Sequence, residues 1–494
     1  MSNIFIAYPE MLMAVLATAV LLLELCRKDA QRSLIHAVSL LGLAAAGVLT
    51  ANLLHNHVET IQTFNEMFVS DPMANLAKMF AYICVAVAFV YGQRYASDRH
   101  FLHGEYYSLS LFALLGQMLM ISSHNLIVMY MGLELQALSL YAMAALRRDH
   151  VRSIEAAMKY FVLGAVASGF LLFGISIIYG ATGGALDIQQ ISGTIASGKV
   201  APQMLVFGLV FLVAGVAFKL GVVPFHMWVP DVYQGTPTAV TLMISAAPKI
   251  AAFVMVVRIF VEGMPTLVVD WSSMFASMAV VSLALGNLSA IRQKNLKRML
   301  AYSGISHMGF VLLGFLATRP SSDEFAWVSG MGAGFYYVII YAITTLASFG
   351  VILAMSAQGF EADQLDDLKG LNQRNPWLAF LILIIMFSLA GIPPMVGFLA
   401  KFMIISGLVA AGNLPLAVIA VLFSLIGAFY YLRVVKLMYF DKPEISTKVS
   451  FSLTHNWVLS VNVLSLLALG FVPFLSPGLL NMALNAVLKS LGQL

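Results

Sequence analysis

Charge is scarce in this sequence. Its 494 residues carry 27 Lys and Arg and 23 Asp and Glu, 10% of the chain, where a soluble domain carries about 25%. So few charges cannot cover a water-exposed surface of this size, which excludes a soluble fold. Disorder is excluded too, because disordered chains are poor in apolar residues. A net charge of +4 leaves no basic face for nucleic acid. Cysteine is almost absent. Cys26 and Cys84 lie in apolar stretches without partner spacing, so neither a disulfide framework nor a thiolate metal site is supported. Both read as small buried hydrophobes. No phosphate-binding loop, dinucleotide-binding turn, metal-spaced His/Cys/Asp cluster or pair of axial haem ligands is evident. Met1 to Glu10 lacks the basic start of a signal peptide, and its apolar run to about Leu25 reads as a retained first helix.

Apolar residues are abundant, at 61%. They recur in stretches of about 20, the length that spans a bilayer. Helices are expected near 5–25, 34–54, 73–93, 107–121, 124–146, 155–180, 203–229, 237–260, 268–290, 297–317, 328–356, 376–408, 414–440 and 453–475. That makes an all-α polytopic membrane protein of about fourteen transmembrane helices. A barrel would need alternating segments of about ten residues, which are missing.

The basic residues orient the bundle. With the N-terminus outside, the connections expected inside hold eighteen Lys and Arg, from Arg27 and Lys28 to Lys448. Those expected outside hold three, Lys199, Arg258 and Arg319. By the positive-inside rule both termini face outward, with Lys489 on the C-terminal tail.

Two long apolar segments are interrupted at membrane depth. One reads Phe218-Lys-Leu-Gly221-Val-Val-Pro224-Phe-His226, the other Ser388-Leu-Ala-Gly391-Ile-Pro393-Pro394-Met-Val-Gly397. Proline removes a helix hydrogen bond, so helices 7 and 12 are expected to be discontinuous. Around them a five-helix unit, 107–262, is expected to repeat inverted over 263–440, with 1–106 as a three-helix N-terminal segment and 441–494 as a C-terminal one. Inverted repeats with paired broken helices mark ion pathways in many transporters.

Five lysines fall inside the expected helices: Lys78, Lys159, Lys219, Lys249 and Lys401. A lysine at the bilayer centre costs about 2.5–3.5 kcal/mol even on lenient scales, so such residues are functional candidates. Lys78, about six residues into its helix, is expected to snorkel to the interface. Lys159, four residues after Glu155, fits an ordinary helix ion pair or a relay. Lys219, Lys249 and Lys401 lie beside the breaks or mid-helix, and snorkelling does not account for them. Glu134 stands mid-helix with no neighbouring charge, and is either kept ionised by a lysine from another helix or neutral and hydrogen-bonded within the bundle. Burial disfavours a lysine's charged form and a nearby carboxylate restores it, so a movable pair can load and unload a proton. His226 and His307 are either relays between lysines or satisfied core histidines. His55 and His57 read as solvated.

These residues resemble a known family. Lys219-x4-Pro224-Phe-His226-Met-Trp228-Val-Pro230-Asp231, the segment Ala301 to Gly309, and Gly391-Ile-Pro-Pro-x-x-Gly397-Phe-x-x-Lys401 resemble the antiporter-like membrane subunits of respiratory complex I. Gly235-Thr-Pro-Thr followed by Ala246-Ala-Pro-Lys249 resembles their subunit-N (subunit-2) branch. Lys401 stands where the M branch carries Glu, and the long lateral helix of the L branch is missing.

The resemblance implies a proton-translocating subunit of a bacterial NADH:quinone oxidoreductase in the cytoplasmic (inner) membrane. Glu134 would pair with Lys219, Lys249 would be the central relay and Lys401 the output-side lysine. His226, His307 and Lys159 would be auxiliary. It implies no cofactor in this chain, with flavin, iron–sulfur clusters and quinone in partner subunits, and M-type and K-type subunits as neighbours. The rival readings are a component of a multisubunit cation/proton antiporter and a purely scaffolding subunit. Subunit-N-like Ala-Pro-Lys favours the first.

Overall fold

The computed structural model describes residues 3–25, 32–56, 60–317, 324–356, 360–443, 452–475 and 478–491. Cys26, Arg27, Lys28, His57, Arg319 and Lys448 lie outside them. Twelve helices among the described residues are long and apolar enough to cross a membrane. Two further crossings complete the bundle. Gly104–Ser122 is a largely buried helix of 19 residues. Pro376–Ala390 and Val396–Ala410 are each too short alone and together make one broken crossing. The chain is thus an all-α multi-pass membrane protein with the expected number of crossings.

In chain order the helices begin with α1 (Tyr8–Leu25) and α2 (Arg32–Asn56). A hairpin of β1 (Ile61–Thr63) and β2 (Phe68–Ser70) follows, with Thr63 opposite Phe68. Then come α3 (Pro72–Asp98), α4 (Gly104–Ser122), α5 (Leu126–Ala144) and α6 (Val151–Ala181). A short α7 (Ile188–Ala196) precedes crossing 7, split into α8 (Pro202–Leu220) and α9 (Trp228–Gly235). Crossing 8 comprises α10 (Thr238–Ser245), α11 (Ala247–Val256) and a π-helical turn, Val257–Glu262. Next are α12 (Val268–Ile291), α13 (Leu296–Leu316) and α14 (Glu324–Met355). The short α15 (Leu371–Arg374) leads to the broken crossing 12, α16 (Pro376–Ala390) and α17 (Val396–Ala410). The chain closes with α18 (Leu414–Tyr439), α19 (Leu453–Leu475) and α20 (Gly478–Ser490).

Local chemistry sets the starts. Asp71 caps α3 by accepting from Ala74 N at 2.7 Å, and Pro72 takes the first helical position, where no N–H is needed. Asn125 caps α5 through the Ile127 and Val128 amides. Crossing 8 and α13 sit at the centre, and almost all their residues are buried. Large apolar side chains of α6 and α18, among them Phe161, Phe173, Leu425 and Phe429, are exposed.

Four features depart from the sequence expectations. Crossing 8 breaks at Ala246, before Pro248, although a continuous helix was expected there. The β-hairpin, α7 and α20 were not foreseen. Lys78 does not snorkel: it is fully buried and 3.0 Å from the equally buried Glu10. Arg258, expected on an outside connection, lies inside the π-helical turn and pairs with Asp71 and Glu262.

Candidate functional site

Both breaks are built alike. α8 ends at Leu220 because Gly221 adopts a left-handed conformation, φ +80°, that side-chain-bearing residues rarely take. Gly221 N donates back to Ala217 O and Phe218 O, and Val222 N to Ala217 O. Such a terminus leaves carbonyls without amide partners. Side chains supply the missing donors. Trp228 Nε1 donates to Phe218 O at 3.0 Å. Lys249, from the next crossing, donates through Nζ to Lys219 O at 2.8 Å and Leu220 O at 3.0 Å. Its ammonium also lies 5.2 Å from the centre of the Trp228 ring. Ser282 of α12 anchors the break by accepting from Val223 N at 2.9 Å.

At the second break α16 ends at Ala390, and Gly391 has φ +82°. Gly391 N donates to Phe387 O and Ser388 O, and Ile392 N to Phe387 O. Lys401 of α17 donates through Nζ to Leu389 O at 2.9 Å and Ala390 O at 3.1 Å. The Phe310 ring centre is 5.4 Å from that ammonium. A methyl group on Gly391 would stand 2.9 Å from Lys401 Cδ, so only glycine leaves room for the lysine to lie across the break. By geometry the partner of Lys401 is therefore Lys249. Lys219 instead occupies the position equivalent to Leu389, and lends its backbone carbonyl rather than its ammonium.

The chemistry of these two shelves is opposed. Burial disfavours an ammonium by about 2.5–3.5 kcal/mol at the bilayer centre. Hydrogen bonds to a charged group are worth about 1.5–3 kcal/mol each, and a helix C-terminus adds up to about 2 kcal/mol. The opposing contributions are of the same order.

The remaining sequence-predicted residues spread around this axis. Lys219 is half-buried, with its Nζ 6.0 Å from the centre of the Tyr141 ring. Glu134 is near enough for its charge to act on Lys219, yet it makes no ion pair within 4 Å among the described residues. Its carboxylate accepts instead from Ser168 of α6, which also contacts Tyr130 OH at 3.2 Å. His307 is buried between Tyr337 OH, 2.7 Å from Nδ1, and Tyr431 OH, 3.2 Å from Nε2. Beside it lies a cavity of about 20 Å³ lined by Ser388, Leu389 and Ala400, and so adjoining the Lys401 shelf. That volume holds about one water. His226 is half-buried within the first break. Lys159 stands apart, 2.8 Å from Glu155 and 2.9 Å from Asp231, which Arg298 also contacts at 2.6 Å.

Sequence reasoning missed several buried charges. His124 Nδ1 lies 3.1 Å from Asp187, and its Nε2 lies 3.9 Å from the Glu262 that binds Arg258. Lys297, counted with the inside connections, is buried and donates to Thr236 O at 2.7 Å. Glu361, between α14 and α15 and only partly buried, accepts from Tyr95 OH at 2.8 Å and from Arg99 at 2.8 Å. An acid inside an apolar stretch, as with Glu134, announces itself. An acid in a polar connection does not. Among the described residues no group of three or more His, Cys, Asp or Glu could hold a metal ion.

Comparison with known proteins places this geometry in context. Residues 123–427 match the family described as NADH:quinone oxidoreductase/Mrp antiporter, TM. The chain is 53% identical to NADH-quinone oxidoreductase subunit N of Herminiimonas arsenicoxydans, over 95% of this chain and 96% of that one. Among solved structures it is similar to a chain of respiratory complex I from Thermus thermophilus, with 29% identity and a TM-score of 0.79, covering 96% and 99% of the two chains. A chain of the Mrp complex from Dietzia sp. DQ12-45-1b has the same fold, with 20% identity, a TM-score of 0.85 and 99% of both chains covered.

Proposed function

The chain belongs to the NADH:quinone oxidoreductase/Mrp antiporter membrane-subunit family, in its subunit-N branch, and from that membership we propose that it carries protons through a Glu/Lys axis within an NADH:quinone oxidoreductase. The units 107–262 and 263–440 supply one break each. Glu134, Lys219, Lys249 and Lys401 are the proton-carrying groups. His226, His307 and Lys159 assist them. The observation that carries the reading is the pair of ammoniums, Lys249 and Lys401, each lying on two carbonyl oxygens at the end of a broken helix.

Lys249 releases its proton when its shelf opens and regains one when the shelf re-forms. Glu134 has two stations, the Ser168 hydroxyl and the Lys219 ammonium, and movement between them alters the charge next to the first shelf. His307 and the water-sized cavity beside Leu389 feed or drain Lys401. Electron transfer in partner subunits, which hold the flavin, iron–sulfur clusters and quinone, drives the cycle through contacts with M-type and K-type neighbours. The protein sits in the bacterial inner membrane with its Arg-rich end inside and both termini outside, as the distribution of basic residues favours.

The test is proton pumping by the assembled complex in proteoliposomes. Lys249→Ala and Lys401→Ala are each expected to cut coupled turnover at least threefold while assembly stays intact. Undiminished pumping with normal assembly would sink the axis. The Mrp-like fold supports a second reading, a multisubunit cation/proton antiporter component. Purification distinguishes them: co-elution with flavin and iron–sulfur subunits is expected, and co-elution without them favours the antiporter.

A further inference from the structure

Crossing 8 is polar on one side of Lys249 and apolar on the other. Toward the Arg-rich end, Thr238, Thr241 and Ser245 recur at helical spacing on α10, so they share a face, and all are fully buried. Lys249 follows four residues after Ser245, across the break at Ala246. The Thr236 and Thr241 hydroxyls touch at 2.8 Å. Toward the opposite end the same face carries Ala252, Phe253, Val256 and Phe260, all buried. The next polar group there is Arg258, already held by Asp71 and Glu262. On crossing 8 the buried hydroxyls thus lie on one side of Lys249 only.

That ladder ends on Glu361. Thr238 Oγ1 donates to the Glu361 carboxylate, and Tyr95 OH donates to both its oxygens at 2.8 Å. Arg99 binds it at 2.8 Å, and the Glu361 side chain is 27% exposed. Lys297 faces it from α13, and His150 lies within reach of its charge. Arg99 also forms the wall of an open cavity of about 620 Å³ whose lining mixes the acids Glu24, Glu105 and Asp149 with Arg147, Arg148 and His150. These charged and polar side chains let water stand against Arg99, and so within one residue of the Glu361 carboxylate.

We propose that the Glu361 carboxylate is the proton inlet for Lys249, receiving protons from this cavity and passing them along Thr238, Thr241 and Ser245. The proposal rests on Lys249 being a proton carrier. A hydronium protonates Glu361, forming an O–H bond and leaving water. Protonation reverses the Thr238 hydrogen bond: the carboxyl now donates and the hydroxyl accepts. Thr238 hands its own proton inward, and Thr241 and Ser245 do the same, with water across the remaining gaps. The last transfer forms an N–H bond on Lys249 in its neutral amine form. Every hydroxyl ends with one proton, and Glu361 returns to carboxylate beside Arg99 and Lys297.

The test uses the assembled complex in proteoliposomes, comparing Glu361→Gln, Glu361→Asp and Thr241→Val with Lys249→Ala. Glutamine keeps the hydrogen-bond acceptor and removes the titratable proton. Glu361→Gln should slow coupled turnover at least threefold, Glu361→Asp should retain most of it, and added azide, a small proton donor, should speed Glu361→Gln but not Lys249→Ala. A Glu361→Gln enzyme at the wild-type rate, or a slow one indifferent to azide, overturns the inlet. If Glu361→Gln does not assemble, Thr241→Val decides: a slow enzyme supports the ladder and a wild-type rate refutes it. Unimpaired Lys249→Ala would instead overturn the reading of Lys249 as a carrier.

Discussion

A lysine buried at the bilayer centre needs a reason, and here the reason is a helix end. Gly221 and Gly391 create those ends, so the lysines depend on residues that carry no charge. Alanine in a left-handed conformation costs about 1–2 kcal/mol. At Gly391 its methyl group would also crowd Lys401. Gly391→Ala should therefore lower both stability and coupled turnover, the latter at least threefold, as read from the assembled complex. Glu361 makes a prediction about pH. Burial pushes its carboxyl up, but the Lys297 and Arg99 charges and the hydrogen bonds from Thr238 and Tyr95 outweigh burial and hold it below its ordinary value of 4.5. A depressed carboxyl contributes stability that is present above that value and lost as pH falls through the lower folded one. Thermal unfolding below about pH 4.5 should weaken less steeply in Glu361→Gln than in the wild type. Buried lysines such as Lys78, Lys249 and Lys401 were legible in the sequence because each is a charge inside an apolar run. Their partners were not. Lys78 finds Glu10 across 68 positions and Arg258 finds Asp71 across 187, separations that no local pattern reports.

Among elements, the broken crossings matter most. Gly and Pro in apolar runs announced crossings 7 and 12. The break in crossing 8 has a single proline at Pro248, and proline is tolerated in the first turn of a helix, so the pattern read as continuous. The break separates the hydroxyl-bearing α10 from α11, and sets Lys249 at the junction. Ser282 makes a separate contribution, holding the first break against α12 through Val223 N. Ser282→Ala would leave that buried amide without a partner, at a cost of about 1–3 kcal/mol. The expected outcome is a lower unfolding temperature for the complex with its subunits still present. An unchanged temperature would mean the break is held elsewhere. The hairpin, α7 and α20 escaped notice because β1 and β2 are three residues each and the two helices fall short of a membrane span.

Across the whole molecule, buried charges tie segments that sequence division keeps apart. Lys78–Glu10 joins α3 to α1, and Asp71–Arg258 joins α3 to crossing 8. Glu361 gathers α3, crossing 8 and the approach to crossing 12. Breaking a buried pair from one side costs about 3–5 kcal/mol, whereas replacing both partners with apolar residues is often neutral. Lys78→Met should therefore destabilise the complex, and Lys78→Met with Glu10→Leu should recover most of the loss in thermal unfolding. Equal loss in both would assign Lys78 a role beyond packing. Under the proposed function Lys249 and Lys401 must behave differently, because the charge of a proton carrier has to come and go. Arginine keeps a positive charge and hydrogen-bond donors, but it does not give up its proton in a protein. The direct measurement is coupled turnover and proton pumping by assembled Lys249→Arg and Lys401→Arg complexes. Loss of pumping with assembly preserved is the predicted result. Wild-type pumping with arginine on either shelf would contradict the account.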